Sequence, residues 1–315
     1  MLKLNTLSGF GGGAVAVAGG VAAGYFLGGN AAAKTDTADR LNFADDITAA
    51  ATDAGLTTVN FGSVGIGDTT TNGYVLGGNS GARTDAIDKL VFSTDTTSAL
   101  TNALSAVRDI GAPISEGTTK GYVVGGNTGA GVDVNTTDKF TYSTETASAA
   151  TDATLDATTK EFGGMGDGST NGYVGANGDI TDVVERLVFS TDTMAALTDV
   201  LSLARGKVAG LSDNSTNGYW CAGRAGGSDR DLVEKHVFST DAIAANTDAT
   251  LSQGRRWPGE CSDGSTNGYI AGGNTGAKVV TADKLVFSTD TTSVSTDSDL
   301  SEARENPNGI SGQAV

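Results

Sequence analysis

Asn72-Gly73-Tyr74-Val75-Leu76-Gly77-Gly78 and, ten residues further on, Asp88-Lys89-Leu90-Val91-Phe92-Ser93-Thr94-Asp95 are two halves of one pattern that returns along the whole chain. Gly-Tyr recurs at residues 24-25, 73-74, 121-122, 172-173, 218-219 and 268-269, in steps of 49, 48, 51, 46 and 50. An acidic-basic pair followed by an apolar run closes on an aromatic at Phe43, Phe92, Tyr142, Phe189, Phe238 and Phe287, in steps of 49, 50, 47, 49 and 49. Two independent markers in register define six units of about fifty residues, and a period of that size belongs to propellers and solenoids.

The unit from 110 to 155 reads as four strands. A short one surrounds Ile114, Glu116 to Gly121 turn the chain, and Tyr122-Val123-Val124 form a second, closed by Gly125-Gly126. A polar loop runs to Thr137, Lys139 to Ser143 make a third, and Ala147 to Leu155 a weaker fourth. Apolar and β-branched runs bounded by Gly, Asn, Asp and Ser are strand signals, and no window sustains a helical period. Asn-Gly at 72-73, 171-172, 217-218 and 267-268 is expected to supply the positive φ of the first hairpin turn. Seven residues before each Gly-Tyr stands an apolar column, Val17, Ile66, Ile114, Met165, Leu211 and Cys261. The third strand is apolar on consecutive positions, as where both faces of a sheet are covered. Four-stranded sheets arranged radially cover one another in this way, which makes the expected fold an all-β, six-bladed propeller of antiparallel blades in one domain over 1–315, with 1–13 and 301–315 as terminal extensions or closure strands.

Composition fits and excludes. Gly numbers 46 of 315 but Pro only 3, so the chain needs tight turns and is neither collagen nor a Pro-rich linker. A net charge of −17 argues against electrostatic binding to nucleic acid or to an anionic membrane. One His and two Cys provide no disulfide framework and no His/Cys metal cluster, so neither a metal nor a cofactor is expected. His236 aligns with Leu90, Leu187 and Leu285, and Cys221 and Cys261 fall at core positions. The Asp-Gly-Ser-Thr-Asn-Gly turns at 167–172 and 263–268 resemble half of a calcium loop without its bidentate Glu, and turn chemistry accounts for them. Gly11-Gly12-Gly13 is not followed by the Lys-Ser/Thr of a phosphate loop.

With Gly-Tyr-Val-Leu-Gly-Gly at 73–78, Gly-Tyr-Val-Val-Gly-Gly at 121–126 and Gly-Tyr-Ile-Ala-Gly-Gly at 268–273, the chain resembles kelch-type propellers over nearly its whole length. It departs from them where Ser98, Ala195 and Ser293 replace a Trp after the third strand, and where the double glycine decays to Gly175-Ala176 and Ala222-Gly223. The Phe-Ser-Thr-Asp-Thr runs at 92–96, 189–193 and 287–291 are similar in style to kelch-like proteins of tailed bacteriophages, notably marine ones. This resemblance implies a non-enzymatic structural or interaction protein of the virion, a tail, fibre, collar or decoration component. Other virion or surface proteins, or a host glycan, would be its partners. A carbohydrate-binding propeller is the alternative and a propeller enzyme the third reading.

Arg108, Arg205, Arg255 and Arg304 stand four residues after Leu104, Leu201, Leu251 and Leu300, where the chain passes from one blade to the next, and Gly11, Asn60 and Thr159 interrupt the series. In a propeller such segments surround the mouth of the central channel. The kelch resemblance implies that these arginines, with Trp257 beside them, bind a partner's carboxylates or a sugar acid; the alternative pairs them with acids on the same rim. Asp68, Glu116, Asp167, Asp213 and Asp263 in the first turns, with Asp95, Glu145, Asp192, Asp241 and Asp290 in the third turns, are expected to share the opposite face. Two segments compete for the inner strand of the first blade. Ala16-Val17 and Gly309-Ile310-Ser311 both match Gly210-Leu211-Ser212. The cheaper closure of a local loop favours the N-terminal copy, leaving the tail to dock outside the ring or on a second subunit.

Overall fold

The computed structural model describes residues 22–312 apart from 130, 177, 179 and 180. Its strands form six antiparallel sheets, each of four strands in meander order, with a short additional strand in the fifth. The third blade comprises Ala112–Ser115, Lys120–Val124, Thr137–Thr141 and Thr146–Ala149. The inner strands Val64–Gly67, Ala112–Ser115, Gly163–Gly166, Ala209–Ser212, Gly259–Ser262 and Asn308–Gly312 touch in succession around one axis, and the sixth touches the first. The chain is a six-bladed β-propeller.

The first blade is closed by the C-terminus. Asn308–Gly312 pairs with Ala23–Leu27, Ile310 facing Tyr25, the same register in which Ile66 faces Tyr74 and Ile114 faces Tyr122. The expected priority of the N-terminal copy is thereby corrected, and the strand expected to dock on another subunit is built into the ring; Val17 lies outside the described residues. Loop entropy gives way to packing, since Ile310 is 3% exposed and Asn308 Nδ2 donates to Leu27 O and Ser63 Oγ.

The Asn-Gly dipeptides also behave differently from expectation. Asn72, Asn171, Asn217 and Asn267 begin the second strands, and the positive φ falls earlier, at Thr69, Gly168, Asn214 and Gly264. Asp68 Oδ1 makes this turn by accepting from the N–H groups of Thr70, Thr71 and Asn72 at 3.0, 2.6 and 2.9 Å. Burial pushes its carboxyl up, but these donors and the Thr71 hydroxyl outweigh that and hold it below the usual range, as at Asp167, Asp213 and Asp263.

The glycine of Gly-Tyr is required by the neighbouring blade. A Cβ on Gly73 would lie 2.6 Å from Ile310 Cγ2, one on Gly121 2.7 Å from Ile66 Cδ1 and one on Gly268 2.8 Å from Leu211 Cδ1. Each apolar column residue thus packs over the next blade's glycine. The tyrosine completes the junction. Tyr25, Tyr74, Tyr122, Tyr173, Tyr219 and Tyr269 stack on Phe92, Tyr142, Phe189, Phe238, Phe287 and Phe43, the terminal aromatic of the following blade, with centroids 5.2–5.8 Å apart. The two sequence markers therefore meet across every blade junction.

Candidate functional site

The acidic-basic pair of each third strand sends its two side chains to opposite tasks. The basic member and the stacked tyrosine both reach the third-turn acid of the next blade. Lys139 and Tyr122 both meet Asp192 at 2.6 Å, Lys284 and Tyr269 meet Asp46, and Lys235 and Tyr219 meet Asp290. Arg40 with Asp95, Lys89 with Glu145 and Arg186 with Asp241 repeat the arrangement. Burial first, and these carboxylates second, push the tyrosine hydroxyls far above their ordinary range. The meander puts first and third turns at one end of each blade, but the acids there are not a bare negative face. Half of them pair with cations between blades, and four of the other five hold turns.

The acidic member points to the segment that leads into its own blade. Asp39, Asp88, Asp138, Glu185, Glu234 and Asp283 accept from the backbone N–H of Ser301, Thr57, Ser105, Asp156, Ser202 and Ser252, each the residue after a segment leucine. In four blades an arginine joins them. Arg108 reaches Asp138 at 3.1 Å and Arg255 reaches Asp283 at 2.6 Å; Arg304 reaches Asp39 at 2.8 Å and Arg205 reaches Glu234. These arginines are at most 2% exposed. They also donate to main-chain carbonyls of the same blade, Gly125 and Thr136 for Arg108, Gly272 and Thr281 for Arg255. The expectation that Arg108, Arg205, Arg255 and Arg304 ring the channel mouth is corrected, because their guanidinium groups turn inward to carboxylates that only the folded blade brings near.

The mouth is formed two residues later, by Gly62, Ile110, Glu161, Lys207, Trp257 and Asn306. All six have φ between 50° and 68°. They are strung together by backbone hydrogen bonds, Ile110 N–H to Gly62 O, Glu161 to Ile110, Lys207 to Glu161, Trp257 to Lys207 and Asn306 to Trp257, at 2.5–3.0 Å. This chain of bonds holds bulky residues in a conformation that ordinarily selects glycine. Trp257 is therefore the one residue of the expected set that stands at the mouth. Lys207 Nζ lies 5.1 Å from its ring centroid, the Arg256 guanidinium 5.8 Å, and Phe61 meets it edge-on at 6.2 Å. Lys207 also pairs with Glu161 at 3.1 Å, and Arg256 with Asp229 at 2.7 Å. Sequence reasoning missed five of the six because they share no chemistry, and only Gly62 and Asn306 are residue types that advertise a positive φ.

Below the mouth the inner strands line a narrow channel. The innermost positions Gly65, Pro113, Gly164, Gly210 and Gly309 are matched in the sixth blade by Glu260, whose carboxyl burial pushes well above the usual range. Glu260 borders both the mouth and a cavity of about 120 Å³ beneath it. Among the described residues no three His, Cys, Asp or Glu side chains are grouped to hold a metal ion, and no helix is long and apolar enough to cross a membrane.

No protein-family model matches the chain, and a search of curated proteins returns no match.

Proposed function

We propose that this propeller is a non-enzymatic interaction protein that docks a protein partner on its channel mouth, as a component of a tailed-phage particle. The observation that supports the docking site is Trp257, an aromatic anchor at the centre of one face with Arg256 beside it, both residue types enriched in binding hot spots. The kelch-like repeats and the Phe-Ser-Thr-Asp runs support the particle assignment by resemblance alone. The groups best suited to chemistry are withdrawn into the packing. His236 is fully buried, and burial pushes the Cys221 and Cys261 thiols far above the range of a nucleophile. A host glycan at the same mouth is the second reading, supported by the indole of Trp257 as a stacking surface. Trp257→Ala tests the site. The variant is expected to stay folded by circular dichroism while its copurification with intact virions in stoichiometric amount is lost; unchanged incorporation would refute the docking role, and absence of the wild-type protein from virions the particle role.

A further inference from the structure

Two blades lack the buried arginine, and they deal with the loss differently. In the second, Asn60 takes the place, donating from Nδ2 to Gly77 O at 2.8 Å, the counterpart of the Gly125 carbonyl that Arg108 reaches. Its strand acid, Asp88, is half-buried and held by both the N–H and the hydroxyl of Thr57. In the fourth blade Thr159 is too short to fill the space. A cleft of about 370 Å³ remains, lined among others by Thr159, Phe162, Val183 and Glu185. Glu185 is 8% exposed and accepts from the Asp156 N–H at 3.2 Å, and among the described residues no cation pairs with it. Val183 corresponds to Thr136 and Thr281, whose carbonyls receive the arginines of the third and sixth blades. Burial without a counter-ion pushes the Glu185 carboxyl up to about 7. Among the described residues, the charged side chains lining the cleft are Glu185 and Asp156, both acidic.

We infer that this cleft is a binding site for a guanidinium group supplied from outside the chain, which takes the place that arginine occupies in four sister blades. The planar donors of a guanidinium reach a carboxylate and a neighbouring main-chain carbonyl at once, as Arg255 does with the Asp283 side chain and the Thr281 carbonyl. The inference is independent of the mouth reading, since its ligand set lies in the fourth blade and excludes Trp257.

Two probes separate the sources of the group, methylguanidinium for a small metabolite and doubly blocked arginine for a protein side chain, with methylammonium as the charge control. Titration of the full chain is followed by the NMR shift of the Asp156 amide. Saturable binding of either guanidinium, at least about tenfold tighter than methylammonium, is expected. Tighter binding of blocked arginine assigns the site to a protein partner and equal or weaker binding to a small guanidinium; both support it. Binding is expected to disappear in Glu185→Gln, and in Thr159→Arg, which carries its own guanidinium and should unfold at a higher temperature than wild type. Should Thr159→Arg fail to fold, the near-isosteric Glu185→Gln decides. No saturation by either probe, or saturation that survives Glu185→Gln, would overturn the inference.

Discussion

Replacing His236 with leucine is expected to stabilise the protein, and more strongly in acid than at neutrality. His236 lies in the third strand of the fifth blade, opposite Gly218, at the position held by Leu90, Leu187 and Leu285 in other blades. It is fully buried beside Tyr173, 4.4 Å between centroids, and both ring nitrogens lack a hydrogen-bond partner. The nearest carboxylate oxygen, Asp241 Oδ1, is 3.8 Å from Nε2, beyond hydrogen-bond reach. Each of the two orphaned nitrogens costs about 1–3 kcal/mol, and giving up the stacking of the imidazole on its aromatic neighbours offsets about 0.5–1.5 kcal/mol of the relief, so leucine gains about 0.5–5.5 kcal/mol near neutrality. Protonation adds the pH signature. Burial, partly offset by Asp241, pushes the imidazole down to about 4 from 6.5. Between these values the unfolded chain binds a proton that the folded one refuses, so stability present above the unfolded value is lost as pH falls, at about 1.4 kcal/mol per unit. Between about pH 7.5 and about pH 5 the wild type should lose about 2 kcal/mol that His236→Leu keeps. Urea unfolding of both proteins at the two pH values reads this directly, and groups common to both cancel in the difference. If the two stabilities fell in parallel, the account of a buried, unprotonated His236 would be refuted.

Deleting 308–315 removes the inner strand of the first blade; cooperative urea unfolding should be lost, and a peptide of that sequence added in trans should restore it, whereas an unchanged midpoint would show that the ring closes otherwise. Arg304→Ala leaves Asp39 buried without its cation and is expected to cost about 3–5 kcal/mol, against about 1 or less for Lys89→Ala at the half-buried pair with Glu145, so equal shifts in thermal midpoint would contradict the assigned burial. Tyr122→Phe keeps the stack on Phe189 but loses the 2.6 Å bond to Asp192, a change of about 1–2 kcal/mol measurable by chemical denaturation; a loss as large as that of Tyr122→Ala would assign the junction to the hydroxyl instead of the ring.

By itself the sequence was enough for the repeat, the blade count and the positions of most strands, because Gly-Tyr and the third-strand aromatic serve the same contact at every junction and so recur with the period of the fold. It also marked Trp257. What it left open were choices among chemically equivalent partners. Val17 and Ile310 fit the inner strand equally well as residues, and only packing at Tyr25 and Ser63 shows Ile310 there. The arginines lie in the expected segments, yet whether a long side chain turns toward solvent or inward depends on carboxylates distant in sequence, some thirty residues for three of them and the length of the ring for Arg304 with Asp39, which the blade brings within 3.1 Å in the case of Asp138. The mouth residues have no common side chain at all, since their shared property is a left-handed backbone fixed by hydrogen bonds between blades. The fourth-blade cleft was visible in sequence only as Thr159 interrupting a series of arginines. That the interruption leaves Glu185 facing open space, where Asn60 fills the corresponding gap in the second blade, is a property of volume and burial that residue identity does not carry.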